Sequence, residues 1–99
     1  MSVIVSNYNN YVSINTTLTL VTGAGKIHRI IMSCNSATLQ AVTLYDNTAA
    51  SGNVIMVFYI SQYSGVTDIP LDSRMPLIFS TGLTVVTGAN CTAFIITEE

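Results

Sequence analysis

The sequence predicts an all-β chain, folded as a single-domain antiparallel β-sandwich, jelly-roll-like, of about eight short strands. Three observations carry that prediction. Glu occurs only at Glu98 and Glu99 and Lys only at Lys26, whereas Val, Ile and Thr dominate, so helix formers are scarce and β-branched residues abound. Apolar residues alternate with Thr, Ser and Asn at a period of two. Turn-forming residues recur at roughly ten-residue spacing, which suits two packed sheets. The 99 residues suffice for one core, so residues 1–99 are read as one domain, with 1–10 as an N-terminal arm.

The first element is Tyr11 to Val21, where Val12, Ile14, Leu18 and Leu20 alternate with polar neighbours and define an even-numbered inner face. It closes at Thr22-Gly23-Ala24-Gly25 and resumes at Lys26 to Cys34, a pattern that reads as a hairpin. Thr38 to Tyr45 follows, then a turn over Asp46 to Asn53, then the apolar strand to Ile60 and the polar loop Ser61 to Thr67. Pro70 and Pro76 place Asp68 to Met75 at a sheet edge, because proline cannot donate to a central ladder. Leu83 to Asn90 closely repeats Leu18 to Gly25, with Asn90 replacing Gly25, and reads as a second hairpin into Cys91 to Thr97.

Only 8% of residues are charged while 49% are apolar, against about 25% charged in an average soluble domain. The formal net charge of −2 is too small for phosphate neutralisation or a polybasic membrane patch, so neither nucleic acid nor a membrane is expected as partner. The longest apolar run, Val54 to Ile60, is far short of the roughly 20 residues of a spanning helix. An N-terminus without basic and apolar signal regions predicts a chain made and kept in a cytoplasm before assembly.

Two strands are apolar on both faces. Val54, Met56, Phe58 and Ile60 alternate with Ile55, Val57 and Tyr59, and Phe94 and Ile96 alternate with Ala93 and Ile95. One face of each must be covered, either by loops or by another subunit, because monomers rarely expose large apolar patches. The candidate subunit interface is Ile55, Val57, Tyr59, Ala93 and Ile95.

Chemistry-bearing groups are sparse. Gly23-Ala24-Gly25-Lys26 lacks the spacing of a phosphate loop, having Leu20 and Ile27 where Gly and Ser or Thr are needed. The single His28 has no second histidine for a metal site, and Asp68 with Asp72 is not a calcium cage. No enzyme activity, metal or cofactor is expected, and Cys34 and Cys91 read as small buried hydrophobes whose pairing the sequence leaves open. Tyr8, Tyr11 and Tyr63, beside Asn and Gln, are the candidates for contact with glycans or partners.

The run Ala41-Val42-Thr43-Leu44-Tyr45-Asp46-Asn47 through Ser51-Gly52-Asn53-Val54-Ile55, with the later Pro76 to Val85, resembles a pattern in small β-sandwich structural proteins of tailed bacteriophages. The resemblance implies a virion component at the capsid surface, a decoration or cement protein. Such a protein binds the major capsid protein as a homo-oligomer, often a trimer. The alternative is a tail or head-fibre adhesin that contacts host glycans.

Overall fold

The computed structural model describes residues 17–71 and 77–98 in full and residues 8–14 by their backbone. Among the described residues the chain forms nine strands and one 3-10 turn at Gln62–Ser64. The strands are β1 (Tyr8–Ile14), β2 (Thr17–Thr22), β3 (Gly25–Cys34), β4 (Gln40–Asp46), β5 (Asn53–Ile60), β6 (Thr67–Pro70), β7 (Leu77–Phe79), β8 (Gly82–Thr87) and β9 (Cys91–Glu98). A five-stranded first sheet has the order β1-β9-β3-β6, with β7 also on β3, and a four-stranded second sheet has the order β2-β8-β4-β5. All pairings are antiparallel.

The pairing is nested: β1 with β9, β2 with β8, β3 with β6 and β7, β4 with β5. Met32 to Arg29 pair with β6, and Ile27 to Gly25 pair with β7, so β6 and β7 lie end to end as one interrupted strand. A long hairpin folded over on itself in this way is a jelly roll, two packed layers that keep an edge strand at each side. The expectation of a β-sandwich of about eight strands therefore holds, and β6 falls at a sheet edge, where Pro70 is tolerated.

The core lies between the sheets. Ile27, Ile30 and Met32 of β3 and Cys91, Ala93 and Ile95 of β9 meet Val42, Leu44, Leu83 and Val85 of the second sheet, with the Phe79 ring between them. These positions alternate with wetter ones along each strand, as the pleat requires.

Two readings of local connectivity need correction. Tyr11 to Val21 is not one strand, because β1 belongs to the first sheet and β2 to the second. Its even-numbered face also fails after Thr19, where a bulge shifts the register and buries the odd-numbered Val21. Neither Gly-rich segment closes a hairpin, since β2 and β3, like β8 and β9, lie in different sheets. The Gly23 amide donates to the Thr81 carbonyl (2.9 Å), tying that corner to the β7–β8 turn and not to β3. The repeat of Leu18 to Gly25 in Leu83 to Asn90 thus marks two equivalent corners between sheets, side by side because β2 pairs with β8 and β3 with β9.

Positive φ falls at Gly23 (105°) and Asn90 (60°), so Asn90 takes the left-handed conformation expected of it. Gly25 serves space instead: a Cβ there would lie 2.6 Å from Phe79 Cζ and 2.9 Å from the Glu98 carbonyl oxygen.

Candidate functional site

The outer faces of the two sheets differ in chemistry. On the first sheet, Lys26, His28, Arg29, Asp68 and Glu98 gather around partly buried Ile31, Phe94 and Ile96. His28 Nε2 lies 3.1 Å from Glu98 Oε1, and Arg29 Nε donates to Asp68 Oδ1 at 2.8 Å while its Nη2 donates to the other carboxylate oxygen. Those hydrogen bonds hold the Asp68 carboxyl below its usual pKa. Asp68 is thus an ion-pair partner, and Asp72 lies outside the described residues. Among the described residues no group of three metal-ligating side chains occurs.

The second sheet carries one charged residue in its four strands, Asp46, and that carboxylate is used internally. It accepts from the backbone N–H of Ser80 (3.0 Å), Thr81 (2.9 Å) and Gly82 (3.4 Å) and from Ser80 Oγ (3.2 Å). The amides, that of Thr81 foremost, hold its carboxyl below the ordinary range against an opposing effect of burial. The β4–β5 turn folds back over one end of this face. Thr84 Oγ1, fully buried, donates to the Asn47 carbonyl (2.9 Å), and Thr19 Oγ1 donates to the Thr48 carbonyl (3.2 Å).

Beyond that cover, the face is open and uncharged among the described residues. Val42 and Leu44 point inward and are fully buried, so Ala41, Thr43 and Tyr45 point outward, and register sets Tyr59, Val57 and Val54 beside them on β5 and Val86 on β8. β5 is also an edge strand of eight residues without charge or proline. Val54 is 50% exposed, Met56 40% and Tyr59 64%. A long apolar edge with free backbone groups is a template for pairing with another chain.

Of the interface candidates, Val57 and Tyr59 lie on this open face, Val57 partly buried and Tyr59 exposed. Ile55 does not, because a bulge between Leu44 and Tyr45 turns it against the core. Ala93 and Ile95 are corrected outright: both are fully buried within the chain, opposite Met32 and Ile30, and face the second sheet. Their neighbours Phe94 and Ile96 take the outer face instead. Tyr63 is 78% exposed in the 3-10 turn, whereas the side chains of Tyr8 and Tyr11 lie outside the described residues. Sequence reasoning missed the edge role of Met56 and Val54 and the internal task of Asp46. A count of charge over Asn53–Ile60 would have flagged the first.

No protein-family model and no curated protein matches the chain. Among solved structures it is similar to a chain of the virus-like particle of the extra small virus of the giant freshwater prawn Macrobrachium rosenbergii, determined by cryo-electron microscopy. The identity is 12% and the TM-score 0.41, over 99% of this chain and 80% of that one. A likeness of that degree carries no argument about function.

Proposed function

We propose that this chain is a non-enzymatic structural subunit of a virus particle that assembles with copies of itself through β5 and the open outer face of the second sheet. The observation that carries the reading is the edge strand Asn53-Val54-Ile55-Met56-Val57-Phe58-Tyr59-Ile60, unpaired on its outer side among the described residues, apolar, uncharged and backed by an uncharged sheet face. A chain that remained monomeric would be expected to guard such an edge with lysine, proline or a covering loop. The jelly roll is an architecture that viral capsid domains use, which supports the reading by analogy of fold. The resemblance of Ala41–Ile55 and Pro76–Val85 to tailed-phage structural proteins supports the specific form: a decoration or cement protein, often trimeric, that bridges major-capsid subunits at the particle surface.

The test is mass by light scattering over a range of concentrations, for the wild type, Val57→Glu and Tyr59→Lys. The reading expects an oligomer in the wild type and a folded monomer in at least Tyr59→Lys, whose exposed side chain does not enter the core. A wild-type monomer at every concentration would refute it, as would an oligomer unchanged by both substitutions.

A further inference from the structure

We propose that Cys34 and Cys91 form a redox site, joined as a cross-strand disulfide between β3 and β9 under oxidising conditions. The two residues are direct partners in the antiparallel register. The Asn35 amide donates to the Asn90 carbonyl (2.9 Å), which makes Cys34 and Cys91 a non-hydrogen-bonded pair. At such pairs the Cα atoms stand about 4.5 Å apart and the side chains are closest, within the span a disulfide requires. The thiols accordingly face each other, Sγ to Sγ at 2.7 Å, so bonding needs no backbone rearrangement. Cys91 Sγ also points at the Ala89 carbonyl at 3.5 Å, which holds the side chain in the facing rotamer.

The environments assign an order to the chemistry. Cys91 is fully buried, and burial first, then its contact with Cys34, pushes its thiol up to about 12. Cys34 is only partly buried and is the sulfur that reagents reach. With glutathione disulfide as oxidant, the Cys34 thiolate attacks one sulfur, expels a glutathione thiolate and forms a mixed disulfide. Cys91 then gives its proton to the solvent and attacks the Cys34 sulfur, expelling the second glutathione thiolate. Two protein thiols are oxidised to one disulfide, and one glutathione disulfide is reduced to two thiols. The bond closes a long loop, the cysteines standing 57 positions apart, and so constrains the unfolded chain strongly. It staples the two central strands of the first sheet at one end, independently of any assembly through the second.

The experiment compares the full chain equilibrated in reduced and in oxidised glutathione, then alkylated, weighed intact and melted. The expected result is loss of both alkylatable thiols together and, in the oxidised sample, a mass two hydrogen atoms below that of the unalkylated reduced chain. Melting should rise by roughly 10–20 °C on closing a loop of this length. The Cys34→Ala variant, which should fold because its site is partly exposed, should show no such rise. Two thiols still free in oxidised glutathione would overturn the proposal, as would a disulfide-linked dimer, a stable glutathione adduct, or the same melting shift in Cys34→Ala.

Discussion

Asp46 is the polar residue on which the second sheet's geometry depends, and removing it gives a prediction whose size and pH dependence can be worked out. Its carboxylate binds three successive backbone amides of the turn between β7 and β8, with the Ser80 hydroxyl as a fourth donor. A hydrogen bond to a charged group contributes about 1.5–3 kcal/mol when well buried, and this site is only partly so. We therefore expect Asp46→Ala to cost roughly 2–4 kcal/mol in total. Asp46→Asn keeps one acceptor oxygen and loses the charge, at roughly half that cost. On a chain of this size each kcal/mol moves the melting temperature by about 4–8 °C. The carboxyl's pKa is lowered in the folded state, so its contribution is fully present above the unfolded value of about 3.9 and is lost as pH falls through the lower, folded value. The stability difference between wild type and Asp46→Asn should thus be constant from pH 7 to about pH 5 and shrink below about pH 4. The assay is urea unfolding at fixed protein concentration, followed by circular dichroism because the chain has no Trp. A difference that does not shrink at low pH, or an Asp46→Ala variant as stable as the wild type, would refute the assigned role.

Other outcomes follow from the same geometry. Ile95→Ala should cost about 2–5 kcal/mol by leaving a cavity between the sheets, whereas Ile96→Ala should cost much less; equal costs in denaturant unfolding would contradict the inner and outer faces assigned to β9. Gly25→Ala should destabilise by about 1–3 kcal/mol through collision with the Phe79 ring and the Glu98 carbonyl, and an unchanged melting temperature would show that β7 yields at no cost. Thr97 Oγ1 is buried and has no hydrogen-bond partner among the described residues, so Thr97→Val should be neutral or stabilising by about 1 kcal/mol; a clear loss in urea midpoint would reveal a partner for that hydroxyl. Arg29→Ala should leave the melting temperature nearly unchanged at physiological salt, since its pairing with Asp68 lies at the surface, and a large fall would show that the pair anchors β6.

The layered β architecture was legible because it depends on alternation and turn chemistry, both of which survive in the primary structure. Val42 and Leu44 alternate with Thr43 and Tyr45, and the Asp46–Asn53 turn stands where its Asn, Ser and Gly residues place it. Sheet membership was not legible, because a Gly-rich corner between sheets and a Gly-rich hairpin use the same residues. What separates them is a partner far along the chain, such as Thr81 for the Gly23 amide. Parity failed wherever a bulge intervened, at Thr19/Val21, Ile27/Arg29 and Leu44/Tyr45, since one extra residue exchanges the faces beyond it. In β9 the face could have been read: Glu98 shares parity with Phe94 and Ile96, and a charged strand end cannot belong to the inner set. Hydrophobic size pointed the other way, yet the core takes small Ala93 because Met32 opposite fills the space.

The distribution of the few charges is the feature that joins fold to function. Among the described residues, Lys26, Arg29, Asp68 and Glu98 all lie on or beside the outer face of the first sheet, where Arg29 pairs with Asp68, Glu98 meets His28 and Lys26 is exposed. The second sheet has only Asp46, whose charge is absorbed by the turn it organises. A jelly roll buries only its inner faces, so solubility alone would call for charge on both outer faces. Charge on one side and an apolar edge on the other are the asymmetry that the proposed assembly through the second sheet would use. Folding does not require this asymmetry, because Thr17, Thr19 and Thr84 supply polarity to the outer pleat of β2 and β8 without charge. Association does, since a charge on either side of the β5 edge would oppose strand pairing there. Among the described residues the outer face of the second sheet is thus the surface without a free charge, and it contains Val57 and Tyr59.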